Sequence, residues 1–363
     1  MPLAFAPACL PVLWGGLPHA TAHDAVALVA AVTPDIPAWP AVPERSFRET
    51  PMAQAAAGFP GLTIDPAYHR ISVDHAAAEI GLDRLGLAYL RGDPGLGALP
   101  SDHAAGLGEL LRLVGHGHRA RALKGTVRGP VSLALQLTDE DERPLAYDPA
   151  LREALIHHLS LRLAWHYEQL STYTDSVILC LDEPFLDALS LPLCPIERDE
   201  GVDMIDRLLD TMAGCRGISV GAGVDWEALL MTSVDLVMFD ANEHIAELTR
   251  SAASVSQFLD RGGILGWGVV PADAGGLDQA TAAALARQVE FAADQIAAVG
   301  DVSRQNILES SLITSCGDLS ALPVDTAEAA LRMCAAVSQR LRDVHGLGKE
   351  PMADSRLPIV DSR

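Results

Sequence analysis

The sequence is short of basic side chains. Lys and Arg together number 26 against 48 Asp and Glu, which gives a formal net charge of −22. A carboxylate excess of this size repels polyanions, so we expect neither a nucleic-acid partner nor an anionic membrane surface as a partner.

Targeting and redox signals are also missing. The apolar stretch at residues 3–14 has no basic segment ahead of it, and Pro7 and Pro11 interrupt it, which predicts a buried strand and neither a signal peptide nor a membrane span. None of the six cysteines stands in a Cys-x-x-Cys spacing, so we expect free thiols and a cytoplasmic protein.

Common nucleotide and hydrolase motifs are absent from the sequence. There is no Gly-rich phosphate loop, no G-x-S-x-G elbow and no G-x-G-x-x-G after a predicted strand; Gly221-Ala222-Gly223 comes nearest but lacks the third glycine. We therefore expect neither a Rossmann-type dinucleotide site nor an α/β-hydrolase site.

What the chain does contain is a regular alternation of short apolar runs with stretches of helical periodicity. Hydrophobic residues make up 49% of its 363 residues, enough to fill a large core. The alternation is typical of a parallel sheet covered by helices, and eight runs predict an α/β fold that closes as a (β/α)8 TIM barrel. The predicted strands are residues 10–13, 38–42, 122–127, 176–181, 217–220, 235–239, 264–270 and 311–314.

The organisation predicted from this pattern is a single barrel domain over residues 1–347. Residues 51–121 are too long for a simple crossover and are rich in Gly and Pro, so we expect an insertion after strand two with its own hairpin or helices. Residues 348–363 lack periodicity and are predicted to be a mobile or docking tail.

Polar residues that directly end predicted strands are the candidates for chemistry, because barrel enzymes place reactive groups at the carboxyl ends of their strands. These residues are His19, Asp182, Glu183, Asp240 and Cys316. Adjacent carboxylates can bind an ammonium or orient a base, and a thiol beside a carboxylate can bind a metal. Each residue also has an ordinary alternative: a hydrogen-bonded histidine, a helix cap or a small buried thiol.

Several short motifs along nearly the whole chain together resemble the superfamily of cobalamin-independent methionine synthase catalytic domains and uroporphyrinogen decarboxylase-like barrels. The likeness is greatest to short, stand-alone methionine-synthase-like proteins. The segments that carry it are Gly16-Leu17-Pro18-His19, Trp39-Pro40, Arg45-Ser46-Phe47, Leu123-Lys124-Gly125, Gly129-Pro130-Val131, Leu181-Asp182-Glu183-Pro184, Asp225-Trp226, Val234-Asp235, Phe239-Asp240-Ala241, Gly262-Gly263-Ile264, Trp267-Gly268-Val269-Val270-Pro271 and Ser311-Leu312-Ile313-Thr314-Ser315-Cys316-Gly317.

The resemblance implies a methyltransferase in which zinc activates the thiol of homocysteine for attack on a methyl group carried by a folate or a corrinoid. It implies zinc ligands in a His-x-Cys pair ending strand five, an acidic residue ending strand six and a cysteine in the final Cys-Gly motif. The last two map onto Asp240 and Cys316. We place substrate contacts at Gly16, Asp182 and Trp267, and the resemblance puts Asp182 on the substrate amine.

The sequence departs from this pattern at three positions. The His-x-Cys pair falls on Ser219 and Gly221, and the Gly-Ser expected after strand one is Gly15-Gly16. Structural and catalytic zinc sites take three or four protein ligands, so the sequence predicts an incomplete zinc site unless His19 or His244 supplies a further ligand.

Three functional hypotheses follow. In the first, the barrel binds a small methyl-transfer substrate or carrier at its carboxyl face, through Asp182, Glu183 and His19, with a corrinoid protein as a possible partner. In the second, a non-catalytic relative binds a corrinoid or a tetrapyrrole, or serves as a scaffold. The third is a uroporphyrinogen decarboxylase-like enzyme, which the sequence supports least because no arginine cluster follows strand one.

Overall fold

The computed structural model describes residues 3–348, so the predicted tail lies, from residue 349 onward, outside the described residues. Within that range the chain forms two sheets surrounded by helices. The strands are β1 (Leu10–Pro11), β2 (Leu62–Asp65), β3 (Arg70–Val73), β4 (Leu123–Arg128), β5 (Thr138–Asp139), β6 (Val177–Glu183), β7 (Cys215–Val220), β8 (Leu236–Asp240), β9 (Ile264–Val270) and β10 (Ser311–Ser315).

The larger sheet has seven strands in the order β1-β10-β9-β8-β7-β6-β4, and every pair is parallel. Parallel strands covered by helices are buried on both faces, which is why they read as short apolar runs in the sequence. Seven of the eight predicted strands are confirmed, and β9 has the predicted bounds.

The predicted strand at residues 38–42 forms a single bridge instead, between Ala38 and Lys124 of β4. Pro37 and Pro40 lack the backbone N–H that a ladder requires, so pairing cannot continue along this segment. The structure therefore shows a curled, seven-stranded parallel sheet surrounded by helices, in keeping with a TIM-like fold, and not the closed eight-stranded barrel that we predicted.

Helices connect the strands of the large sheet and cover its outer face. Two of them begin with common capping residues: the Thr21 side chain accepts a hydrogen bond from the N–H of Asp24, and Asp148 caps a long helix that has Pro149 at its first position. The helices are α1 (Ala22–Val32), α2 (Pro51–Ala56), α3 (His75–Arg91), α4 (Ala105–Gly115), α5 (Pro130–Gln136), α6 (Pro149–Ser171), α7 (Arg198–Thr211), α8 (Trp226–Met231), α9 (Ala241–Arg250), α10 (Ala252–Asp260), α11 (Ala274–Gln279), α12 (Ala282–Val299), α13 (Arg304–Glu309) and α14 (Val324–His345).

Residues 51–121 contain α2, the antiparallel hairpin β2-β3, α3 and α4. The hairpin joins a small second sheet through parallel pairing of β3 with β5. Helix α4 returns to the large sheet and packs against α1, while α3 packs against α6. No helix within residues 3–348 is long and apolar enough to cross a membrane.

Buried apolar side chains form two separate clusters, one inside the curl of the sheet and one between the sheet and the helices. Along β6, Ile178 and Cys180 belong to the inner cluster, whereas Leu179 and Leu181 belong to the outer one. This is the two-residue alternation of a strand, and it decides which face each polar residue beyond the apolar run takes.

Candidate functional site

The two carboxylates at the end of β6 lie on opposite faces of the sheet. Asp182 is on the same face as Cys180, inside the curl, and Glu183 is on the face of Leu181, toward the helices. The two residues therefore do not act as a pair at one site, although they are adjacent in sequence.

Asp182 forms an ion pair with Arg128, its neighbour across the β4-β6 ladder. Arg128 Nη1 donates to Asp182 Oδ2 at 2.5 Å, and Ser219 Oγ of β7 donates to Oδ1 at 2.9 Å. Burial raises the pKa of the Asp182 carboxyl, while the Arg128 charge and the Ser219 hydroxyl oppose that rise. The carboxylate that we expected to meet a substrate amine is thus in contact with a cation of the chain itself.

Lys124, two residues before Thr126 on the inner face of β4, is fully buried. Its Nζ donates to the carbonyl oxygen of Trp14 at 2.7 Å and to Thr126 Oγ1 at 2.8 Å, which are both neutral oxygens. Burial lowers the pKa of Lys124. The sequence analysis did not select Lys124 or Arg128 as site residues. Polar residues at every second position, 124, 126 and 128, were the available signal, because that spacing puts all three on one face of a strand.

Gly16 is positioned at the carboxyl end of the sheet by a residue more than 300 positions away. Its N–H donates to Oδ2 of Asp318, which follows the Cys316-Gly317 motif after β10. A Cβ on Gly15 would lie 2.3 Å from the same carboxylate, and a Cβ on Gly16 would lie 2.9 Å from Ser320. The Gly15-Gly16 pair therefore makes room for a carboxylate of the chain, a role that sequence reasoning missed.

Glu183 is completely buried and holds the start of α5. Its Oε1 and Oε2 accept from the backbone N–H groups of Val131 at 2.9 Å and Ser132 at 2.8 Å. Burial raises the pKa of Glu183 to about 7, although these hydrogen bonds oppose the rise. This is the helix-capping alternative that we considered for the Asp182-Glu183 pair, and it applies to Glu183 alone.

A small cavity, with room for about one water molecule, opens at the carboxyl ends of β1 and β4. Two of the residues around it each have a buried donor that lacks an acceptor within residues 3–348, Arg128 Nε and Trp39 Nε1. The cavity is lined by Gly15, Gly16, Trp39, Ala41, Pro51, Gln54, Thr126 and Arg128. It therefore joins the strand-one glycines to the Arg128–Asp182 ion pair.

Asp240 and Cys316, the two residues that map onto zinc ligands, lie next to each other. Burial and the Asp240 carboxylate raise the pKa of the Cys316 thiol to about 11, while the Ala272 N–H donates to its Sγ at 3.2 Å. Asp240 also caps α9 through the N–H of Asn242, 2.8 Å from Oδ1. Within residues 3–348 no three His, Cys, Asp or Glu side chains are grouped so that they could hold a metal ion.

The other positions of the implied zinc set cannot complete it. The Ser219 hydroxyl donates a hydrogen bond to Asp182. Gly221 has no side chain, and a Cβ there would lie 2.7 Å from the Pro184 carbonyl oxygen. His244 is buried, with Nδ1 3.0 Å from Glu247 Oε2 and Nε2 3.0 Å from the Gly221 carbonyl oxygen. The residues present do not fit a zinc ion, which takes three or four protein ligands.

His19 and Trp267 lie apart from the Asp182 cluster. His19 is buried against α14, with Nε2 3.4 Å from Glu328 Oε1. Trp267 is fully buried in the outer layer, where its Nε1 donates to Ser311 Oγ at 2.8 Å and its ring meets Phe239 edge to face. The structure therefore brings together Gly16, Asp182 and Ser219, and separately Asp240 and Cys316.

No protein-family model and no curated protein matches this sequence. Among solved structures, a methyltransferase from Methanosarcina mazei is 12% identical, covers 92% of this chain and 94% of its own, and has a TM-score of 0.50. A B12-independent methionine synthase from Shewanella sp. W3-18-1, in complex with selenomethionine, is 13% identical over 66% of this chain and 67% of its own, with a TM-score of 0.46. A putative vitamin-B12 independent methionine synthase from Listeria monocytogenes is 14% identical over 65% and 69%, with a TM-score of 0.47.

At these identities a comparison establishes the fold and not the activity. The match to the Methanosarcina protein extends over nearly the whole length of both chains. The resemblance indicated by the sequence motifs is therefore confirmed at the level of the fold alone: this chain is similar in structure to the Methanosarcina methyltransferase.

Proposed function

We propose that this chain binds a small methyl-transfer substrate or carrier at its carboxyl face and does not activate a thiol with zinc. The observation that carries the proposal is the group of inward polar side chains at the carboxyl ends of three neighbouring strands, Arg128, Asp182 and Ser219, which lies beside the small cavity. Ligands of barrel proteins bind at this face, where the chain here concentrates its inward polar groups.

The side chains available as metal ligands support the proposal that the protein does not use zinc. Asp240 and Cys316 supply two ligands at most, fewer than the three or four protein ligands of a zinc site, and no third His, Cys, Asp or Glu side chain within residues 3–348 joins them. Ser219, where the resemblance implies a histidine, serves the Asp182 carboxylate instead. We derive no reaction step through a metal.

The fold supports the proposed location of the site. Leu17 N–H donates to the Ala41 carbonyl oxygen at 2.9 Å, and Trp39 N–H donates to the Lys124 carbonyl oxygen at 3.1 Å. Residues 38–42 thus connect the β1 end to β4, and we propose that they close the barrel there with fewer hydrogen bonds than a strand. The cavity lies against this irregular wall.

The test combines metal analysis, turnover and ligand binding on the full-length protein. We expect less than stoichiometric zinc, no methylation of homocysteine from methyl-folate or methyl-corrinoid donors, and a rise in the thermal midpoint with a folate or a corrinoid, because a ligand that binds the native state stabilises it. Porphyrins are included to test for a tetrapyrrole site.

Two results would overturn the proposal. One is a zinc ion at one per chain that Cys316→Ser releases, accompanied by homocysteine methylation. The other is the complete absence of a shift with every ligand, together with a specific protein captured by the chain, which would indicate a scaffold.

A further inference from the structure

Helix α3, in the insertion, is apolar on two opposite faces. The inner face packs against α6 and contains the buried residues Ala78, Leu85 and Ala88. On the outer face Ile80 is 83% exposed, Leu90 is 81% exposed and Leu87 is 47% exposed. A helix that is apolar all round normally has neighbours on all sides. The outer face of α3 therefore lacks a neighbour within the part of the chain that the structure describes.

The residues of this outer face have the spacing of a coiled coil. Ala76, Ile80, Asp83, Leu87 and Leu90 follow one another at intervals of four, three, four and three residues, and all five are exposed. These intervals are those of the a and d positions of a heptad, with Ile80 and Leu87 at a and the other three at d. A row of a and d residues packs against the same row of another helix, so the outer face fits a helix with the same spacing.

The charges beside this row indicate which helix fits and in which direction. Glu79, whose side chain is 68% exposed, is at position g, and Arg84 and Arg91 are at position e. In a parallel pair, g of one helix faces e of the next heptad in the other, so Glu79 of each copy faces Arg84 of the other. In an antiparallel pair, e faces e, and the arginines would face each other. Helix α3 is thus complementary in charge to a parallel copy of itself.

A groove between α3 and α6 gives a second helix room on the Glu79 side. Its volume is about 520 Å³, and most of the residues that line it are apolar, among them Leu82, Leu90 and Ala154. Gly86, at the next g position, also lines the groove, and a Cβ there would meet nothing within 4 Å. Side chains of a second helix can therefore pack there without displacing any side chain of this one.

We propose that the outer face of α3 is the interface of a homodimer, in which the two α3 helices lie parallel around a two-fold axis. Asp83 is the one charged residue in the row, and the Asp83 carboxylates of the two copies meet at the axis. A polar residue at a single such position fixes the register of a coiled coil and weakens it. Because one helix pair is also small for an interface, the dimer forms and dissociates with protein concentration.

This interface is separate from the site of the proposed function. Helix α3 lies outside α6, and none of its residues belongs to the polar group at the carboxyl ends of the strands. Dimerisation and ligand binding are therefore tested independently.

The first test is sedimentation velocity of the full-length protein over a wide range of concentration. We expect the average mass to rise from one chain to two. Ile80→Asp buries a charge in the interface and should weaken dimerisation at least about ten-fold, whereas Asp83→Leu removes one and should strengthen it at least about ten-fold. Phe291→Asp, at a residue of α12 that is 60% exposed, is the matched control and should change nothing.

The second test reverses the charges beside the row. Glu79→Arg and Arg84→Glu should each weaken the dimer about three- to ten-fold, the usual size of exposed ion pairs, and the double variant should restore it. Because these side chains are exposed, thermal unfolding of the dilute monomer should be unchanged in every variant, which shows that the fold is intact. A dimer that Arg84→Glu strengthens would show an antiparallel pair and overturn the proposed geometry.

A monomer at every concentration would overturn the proposal, and so would a dimer that Ile80→Asp leaves intact. If the chain is monomeric and truncation after Gly348 then permits dimers, residues 349–363 occupy the outer face, which also overturns it. Each of these results leaves the proposed function at the carboxyl face standing, since that function is tested by metal content, turnover and ligand binding.

Discussion

Gly129, between β4 and α5, shows how closely single residues are fitted around the carboxyl end of the sheet. A Cβ at this position would lie 2.3 Å from Glu183 Oε1 and 2.5 Å from its carboxyl carbon. The backbone there is ordinary, with φ of −75°, so glycine is required by the neighbouring carboxylate and not by its own conformation.

Gly129→Ala should therefore destabilise the protein by about 1–3 kcal/mol, the usual cost of forcing extra atoms into a filled space. Urea unfolding measures this cost. The matched control is Gly86→Ala in α3, where a Cβ meets nothing within 4 Å. Alanine there should stabilise the protein by about 0.5–1 kcal/mol, because it favours the helix. Similar effects of the two substitutions would contradict the steric explanation.

At the scale of single elements, buried polar side chains bind the ends of two helices, α5 and α2. Glu183 accepts from the first turn of α5, whose N-cap residue Gly129 has no side chain to do so. On α6, His158 and Arg162 donate to the carbonyl oxygens of Ala55 and Ala57 at the end of α2. Neither interaction is local in sequence, so cap preferences could not reveal it.

Glu183→Gln should destabilise the protein by about 1–3 kcal/mol, because an amide accepts at only one of its two ends and leaves one N–H of α5 unpaired. A second effect concerns pH. The pKa of Glu183 is about 7 in the folded chain against 4.5 in the unfolded chain, so the folded state binds more protons between these values. Its contribution to stability falls as pH rises from 4.5 to 7, and Glu183→Gln should remove that fall. An unchanged pH profile would argue against a buried carboxyl here.

Helix α6 should make the opposite contribution to the pH dependence. Burial lowers the pKa of His166 to about 3, and the Arg162 charge adds to this effect. Between pH 3 and 6.5 the unfolded state binds the extra proton, so stability rises with pH by about 1.4 kcal/mol per unit. His166→Phe should reduce the slope between pH 4 and 6 by roughly that amount.

Denaturant unfolding at a series of pH values measures this slope. His116→Asn changes an exposed histidine and serves as the control, with no change of slope expected. Since neither ring nitrogen of His166 has a partner within residues 3–348, phenylalanine should also be tolerated there. A variant that keeps the original slope would contradict the burial of a neutral imidazole.

At the scale of the whole molecule, the net charge of −22 is the dominant electrostatic property. Self-repulsion of this size opposes the compact state, and salt screens it because the Debye length shortens from about 30 Å at 0.01 M to about 8 Å at 0.15 M. We expect the thermal midpoint at pH 8 to rise with sodium chloride over this range. The rise should vanish near the isoelectric point of about 4.8. A midpoint that falls with salt at pH 8 would show that ion pairs outweigh the repulsion.

Most of the fold was predictable because buried parallel strands are short apolar runs between helices. The exception, residues 38–42, is apolar but interrupted by Pro40, and composition alone did not show that its pairing would stop after Ala38. Site residues were harder to predict. The strand rule selected Asp182 and Glu183 together, although the alternation of a strand already separates them.

The remaining contacts of the site join residues far apart in the chain. Asp318 meets Gly16 and Arg128 meets Asp182 only once the sheet has formed. A single sequence gives the chemical types of these residues but not their distances. The two-residue spacing of polar side chains in β4 was the one local sign of the cluster.

The burial of Lys124 makes it possible to measure how often the interior of this protein opens. It is one of only two lysines in the chain, the other being Lys349, and it is fully enclosed by the sheet. An amine-directed acylating reagent can reach Lys124 only when the sheet opens or the chain unfolds. The rate at which Lys124 Nζ is labelled, measured from the mass of the peptide that contains it, therefore reports the rate at which the interior opens. Native proteins open in cooperative units of this kind.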